Sequence, residues 1–161
     1  MVVVETEISI DENDHWWNGN MKIENNGVVK FFKMNLHKDQ RYFIYLKHSD
    51  KEEKGYLKKV LGFPLLTINI EDDKNFVLSL DNEKKTKVKE IYYDSSKNVY
   101  WSLWEDEEYQ TFIPYKITFR ILQFFSSYIQ QDFDSVFEHY YLLYNQNKIP
   151  ILEKEYNPEI F

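Results

Sequence analysis

Two tryptophans stand three residues apart beside four consecutive acids in Trp101-Ser102-Leu103-Trp104-Glu105-Asp106-Glu107-Glu108-Tyr109. An aromatic face attracts a cation, and neighbouring carboxylates add to that attraction, so such a segment can hold a basic group or a basic peptide. His15-Trp16-Trp17 brings a second pair of indoles. Adjacent residues of a strand point to opposite faces, which sends one indole to the core and leaves the other to cap a pocket. The candidate contact surface is therefore Trp16, Trp17, Trp101, Trp104, Glu105, Glu107, Glu108 and Tyr109. The competing reading is structural: Trp101 and Leu103 face the core from a strand, and the acids form a solvated turn.

Other catalytic chemistry is thin. Glu105 and Glu108 are paired carboxylates of the type used for acid–base work, but a carboxylate-based hydrolase would need them in a concave pocket. His15, His37, His48 and His139 are scattered, and no two have the i, i+4 spacing of a helical zinc site. His15 follows Asp14, and His37 and His48 each precede an aspartate, Asp39 or Asp50, by two residues. Those pairs could orient an imidazole; otherwise these are surface histidines. Asp72, Asp73 and Asn75 resemble part of a calcium loop without its glycine and distal glutamate, and so read as an ordinary turn. Ser95-Ser96 and Ser126-Ser127 lack a nucleophile elbow. Glycines at 19, 27, 55 and 62 form no phosphate loop, and without cysteine there is neither thiolate chemistry nor a cysteine-based zinc site. The expectation is a non-enzymatic protein with no metal and no cofactor.

The chain has 161 residues, the size of a single domain over 1–161. Twelve Phe, thirteen Tyr and four Trp supply a large core without disulfides. Alanine is absent, which reads as coding bias. A formal charge of −7 argues against nucleic acid, whose phosphates need a basic patch, and favours a basic partner if there is one. No apolar run approaches the ~20 residues of a membrane span. Residues 1–4 are apolar but are followed by Glu5 and Glu7, too short and too acidic for a signal peptide. A cytoplasmic location with no membrane partner is the expectation.

The elements that would carry these residues follow from periodicity and turn chemistry. Alternation suggests strands over 2–10. Asn26-Gly27 between 21–24 and 28–32 predicts a tight hairpin. Leu36, Phe43 and Leu46 share a helical face, predicting a helix over 36–47. Strands are expected at 65–71 and 76–80 around a turn at 72–75, at 86–93 and 99–104 around a turn at 94–98, and at 110–113. Pro114 suits the first turn of a helix over 114–129 carrying Ile117, Ile121, Phe124, Phe125 and Tyr128. Ser135 and Glu138 have capping-box spacing for a helix over 135–145. The tail 148–161 is expected to be extended, docked by Ile149, Ile151, Ile160 or Phe161. The class is α+β: a mainly antiparallel sheet with one helix in the first half and two near the C-terminus. A hairpin–helix motif looks repeated in halves of about 16–60 and 61–130, followed by the C-terminal helix and tail over 131–161.

Four stretches carry a family resemblance. Trp17-Asn18-Gly19-Asn20-Met21-Lys22-Ile23 with Asn26-Gly27 looks like an opening hairpin. Gly55-Tyr56-Leu57 precedes a strand ending in Ile70-Glu71-Asp72, and Phe76-Val77-Leu78 follows. Residues 113–125, with Arg120 in an apolar frame, look like a closing helix. Together they resemble the bacterial family catalogued as domain of unknown function twelve-eighty-five, over about residues 16–130. The segment between Leu80 and Trp101 departs from its pattern. The resemblance implies a small α+β protein with a repeated structural motif, from a family with no established catalytic activity and a suggested part in signal transduction; it supplies no site residues. The functional expectation is a cytoplasmic ligand- or protein-binding module. The rival is a small acidic inhibitor or immunity-type protein that neutralises a basic enzyme through aromatic anchors.

Overall fold

The computed structural model describes residues 1–133 and 138–159. The chain divides into two units: residues 1–65, 103–114 and 157–161 form the first, and 66–102 and 115–156 the second. These bounds differ from the expected halves, because the segments 103–114 and 157–161 return to the first unit.

The first unit begins with β1 (Val2–Glu5), β2 (Ile8–Ile10), β3 (Trp16–Asn18), β4 (Met21–Lys22) and α1 (Asn26–Met34). It continues with β5 (Leu36–Lys38), β6 (Tyr42–His48), β7 (Lys51–Tyr56) and β8 (Lys59–Val60). Two four-stranded sheets result, ordered β1-β7-β6-β5 and β4-β3-β2-β8. The expected hairpin at Asn26-Gly27 is instead the start of α1. The Asn25 side chain accepts hydrogen bonds from the backbone N–H groups of Gly27 (2.9 Å) and Val28 (3.3 Å), so this Asn-Asn-Gly run caps a helix. The hairpin turn lies earlier, between β3 and β4, where Gly19 has φ 62° at the first position of a two-residue turn.

The helix expected over 36–47 is also overturned: β5 and β6 form an antiparallel pair with Leu36 opposite Ile44 and His37 opposite Phe43. The physical reason is burial on both faces. Tyr42, Phe43 and Ile44 are all buried, and a strand covered on both sides loses the alternation that would identify it.

Gly62 sets how closely the loop before residue 65 approaches residues 11–14. A Cβ there would fall on the Asp11 carbonyl oxygen and the Asp14 carboxylate, and Asp14 also accepts from the Phe63 N–H at 2.6 Å. Gly62→Ala is expected to destabilise the protein by about 1–3 kcal/mol, the range for forced overpacking. A urea melt superimposing on wild type would remove this reading.

The second unit is built on β9 (Leu65–Asp72), β10 (Val77–Leu80), β11 (Lys85–Lys87), β12 (Ile91–Asp94), β13 (Val99–Asp106) and β14 (Thr111–Lys116). Then come α2 (Phe119–Ser126), β15 (Ile129–Phe133), β16 (Glu138–Tyr144) and β17 (Asn147–Glu153). The sheet order is β11-β10-β9-β14-β13-β12-β17-β16-β15. β13 after Ser102 and β14 up to Pro114 run into the first unit.

The two expected turns are present. Asp72 accepts from the N–H groups of Lys74 and Asn75, and Asp94 from those of Ser96 and Lys97. β12 and β13 pair antiparallel as expected, with Tyr92 opposite Trp101, but Thr86 belongs to β11, opposite Leu78 of β10. The buried face of β9 is the one bearing Thr67, whose hydroxyl accepts from the Thr118 N–H (2.9 Å) at the start of α2. Pro114 lies in β14, so α2 starts five residues later than expected, yet Ile121 and Phe125 are its buried residues as the pattern predicts.

The helix over 135–145 is corrected as well. Residues 138–144 are β16, paired with β15 (Leu142 opposite Ile129) and with β17 (Leu142 opposite Ile149). Its aromatic and aliphatic residues suit a pleated surface. Ser135, Val136 and Phe137 lie outside the described residues, as do Ile160 and Phe161. In the tail, Ile149 is buried on β17. The protein is thus a strand-rich α+β fold, with two helices among the described residues. Its sheets are less uniformly antiparallel than expected, since β1/β7, β2/β8 and β12/β17 run parallel.

Candidate functional site

In the first unit, the register places His37, Phe43 and Tyr56 in one row across β5, β6 and β7, with Tyr45 opposite Lys54 in the next row of the same face. Period-2 alternation thus gathers an imidazole, three aromatic rings and an ammonium on one side of the sheet. Asp39 and Arg41, in the β5–β6 connection, reach the same groups. Asp39 accepts from Lys54 Nζ and from the Tyr56 hydroxyl, each at 2.6 Å. The Arg41 guanidinium lies 4.5 Å from the Tyr56 ring centroid and donates two hydrogen bonds to Glu5, at 2.7 and 2.6 Å. Lys54 Nζ also sits 4.1 Å from the Phe43 ring.

Burial raises the Asp39 carboxyl, but hydrogen bonds from Lys54, Tyr56 and the Arg41 backbone outweigh it and bring the group down to about 2. A carboxyl depressed in the folded state contributes stability that is complete above its ordinary value near 4 and is lost as pH falls toward 2. Wild type should therefore exceed Asp39→Asn in stability at pH 6, and the gap should close between about pH 4 and pH 2. Urea melts across that range check it; a gap independent of pH would contradict the pairing.

The turn between β13 and β14 covers this face. Asp106, the last residue of β13, is buried, and its Oδ2 lies 2.6 Å from His37 Nδ1. Its Oδ1 accepts from the Glu108 N–H at 3.3 Å, which holds the turn's backbone. The Tyr109 ring packs 4.5 Å from His37 and 5.2 Å from Phe43. Burial first, and then the Glu108 carboxylate, raise the Tyr109 phenol above its ordinary value. Gln110, at φ 53°, reverses the chain into β14. Glu107 and Glu108 are left exposed at the tip, and Glu105 is exposed on β13 just before it.

The structure separates the proposed surface residues. Glu107, Glu108 and half-buried Tyr109 come together on this turn, and Glu105 is exposed near the end of β13. The indoles do not join them as a surface: Trp101 is 0% and Trp104 9% exposed. Trp16 is buried beside Phe32, with ring centroids 6.1 Å apart, and Trp17 is half-buried with its N–H donated to Asp11 at 2.8 Å. One tryptophan of that pair is core as alternation predicts, but the other is tied to its own loop. Glu105, on β13, and Glu108, on the turn, are both exposed.

The histidine pairings also differ from those suggested by spacing. His37 is partnered by Asp106, 69 positions away, whereas Asp39 goes to Lys54 and Tyr56. His15 lies 3.8 Å from Asp11, four positions before it. His37, Asp106 and Glu108 are the group, among the described residues, whose donor atoms could hold a metal ion. No local signal announces it, because β5 and the β13–β14 turn meet only through the fold. Arg120 is exposed on α2.

No protein-family model matches the sequence, and no curated protein does. Two crystal structures match the fold. A DUF1285 family protein (domain of unknown function 1285) from Silicibacter pomeroyi DSS-3 is 10% identical, with a TM-score of 0.54 over 91% of this chain and 80% of that one. A DUF1285 family protein from Shewanella baltica OS155 is 15% identical, with a TM-score of 0.52 over 76% of this chain and 91% of that one. The fold is therefore similar to that of the family resembled by the stretches at 17–27, 55–78 and 113–125. Among the described residues, no helix is long and apolar enough to cross a membrane, a statement that concerns helices only.

Proposed function

We propose that the protein is a non-enzymatic binding module that takes a basic partner through the acidic turn between β13 and β14. The observation that carries this reading is the way the turn is held. Asp106 and Tyr109 anchor it on His37 and Phe43, while Glu105, Glu107 and Glu108 project outward. Charges presented from an ordered platform lose little conformational entropy when a partner docks. A formal charge of −7 supports the same sign of partner and extends the attraction. A cytoplasmic place and a part in signalling belong to the proposal, the latter supported only by the family resemblance. Neutralisation of a basic enzyme is the variant in which that partner is the target of inhibition.

The test compares wild type with Glu107→Lys in captures from the native cell extract at low and high salt. Glu107 is exposed, so its reversal leaves the fold intact. Exposed charges are screened beyond a Debye length of about 8 Å at physiological salt. The retained partner should be lost at high salt, and Glu107→Lys should slow its association more than it hastens its release, because rim charges steer encounter. Equal retention by both proteins at both salt concentrations would sink the reading.

A further inference from the structure

The geometry points to a binding site for a divalent first-row transition cation formed by His37, Asp106 and Glu108. One ligand nitrogen of His37 and one carboxylate oxygen from each acid lie within 4.8 Å of one another. The three come from two segments remote in sequence, β5 and the end of β13 with its turn. Metal bonds of ~2.0–2.2 Å to nitrogen and oxygen set donor atoms roughly 3.4 Å apart around a tetrahedral ion. To reach that spacing, the 2.6 Å contact between His37 Nδ1 and Asp106 Oδ2 must open slightly and Glu108, which is exposed on the turn and can change rotamer, must draw in.

The other two donors are already ordered. The His37 side chain is 12% and that of Asp106 4% exposed, and Tyr109 and Phe43 flank the imidazole at 4.5 and 5.8 Å. Close packing of this kind holds the imidazole in one rotamer. Without a metal, His37 Nδ1 and Asp106 Oδ2 share a hydrogen bond at 2.6 Å. A cation ligated by both groups takes the place of this hydrogen bond, with the imidazole kept neutral by a proton on its other ring nitrogen and any surplus proton released to solvent. Lys54 does not oppose the ion strongly, since its ammonium is paired with Asp39 at 2.6 Å.

The donor set names the class of ion. An imidazole with two carboxylates suits zinc, manganese or cobalt, whereas magnesium and calcium take oxygen donors alone. Three protein donors leave at least one position open to water or to a ligand group. The site goes beyond the basic-partner reading: it depends on Glu108 and the His37–Asp106 pair, not on Glu107.

The experiment is calorimetric titration of the full chain with zinc chloride, repeated with magnesium chloride, and a cobalt(II) titration followed by visible absorption. The expected result is one zinc ion per chain, cobalt bands at the same stoichiometry and no magnesium uptake. Glu108→Gln, at an exposed position, should keep its circular dichroism and weaken zinc at least about ten-fold, a loss that even an outer-shell partner produces. His37→Asn should weaken it as much or more. His15→Asn, which removes the exposed imidazole 3.8 Å from Asp11, should leave zinc binding unchanged. The site is overturned if wild type takes up no zinc, if magnesium binds equally, if Glu108→Gln binds like wild type, or if the loss follows His15→Asn instead. Salt-sensitive capture by Glu107 can fail while zinc binding survives, and the reverse, so the two readings fail separately.

Discussion

Replacing Phe125 with alanine is expected to lower the stability of the protein by about 3–5 kcal/mol, the cost of deleting a large buried aromatic side chain. Phe125 is 2% exposed on α2. Its ring lies 5.3 Å from Phe76 and 5.3 Å from Phe124, and Phe76 in turn meets Tyr144 edge-on at 5.6 Å. The alanine would leave a cavity lined by rings that hold one another in place and cannot all move inward. A domain with a total stability of about 5–15 kcal/mol would feel that loss as a large fall in melting temperature. Phe125→Leu keeps most of the volume and should cost far less. Urea denaturation of the three proteins decides it: matching midpoints for wild type and Phe125→Ala would mean that α2 packs through another face.

Phe125 was legible because an amphipathic helix writes its buried stripe into local spacing. The turns at 72–75 and 94–98 were legible for a similar reason. Asp72 and Asp94 bond their own backbone two and three residues on, so the chemistry is complete within the turn. Other segments hold two local readings, and tertiary contacts choose between them. Asn25-Asn26-Gly27 fits both a hairpin turn and a helix cap, and the Asn25 side chain settles it as a cap. In residues 36–46, apolar positions at helical spacing belong to strands, and β6 is buried on both faces over residues 42–44. Pro114 fits the first turn of a helix and equally a strand position, and it is in β14. Residues 138–144 show helical spacing, yet a partner strand on each side takes them up as β16. Of the candidate site, the exposed acids and Tyr109 were visible as composition. The pairing of His37 with Asp106 was not, because nothing near either residue records a partner 69 positions away.

Trp101 decides between the two meanings of an indole beside an acidic run. Trp101→Ala is expected to cost about 3–5 kcal/mol as well, because in the second unit the side chain is part of the core. Its ring centroid is 4.7 Å from that of Tyr92 and 5.2 Å from that of Tyr156, and its N–H donates to the Lys154 carbonyl at 3.3 Å. The same segment is tied to Asp94, whose Oδ2 accepts from the Tyr156 N–H at 2.8 Å. The alanine would therefore loosen residues 154–156 as well as empty a large volume. Trp101→Phe should fall between, keeping the ring contacts and losing the hydrogen bond. Glu107→Lys should show the opposite profile, with an unchanged melt and altered salt-dependent association. Chemical denaturation of the three variants, run beside the salt-dependent captures, separates core from surface. If Trp101→Ala melted like wild type while capture was lost, the indole would be a contact residue and the burial assigned to it here would be wrong.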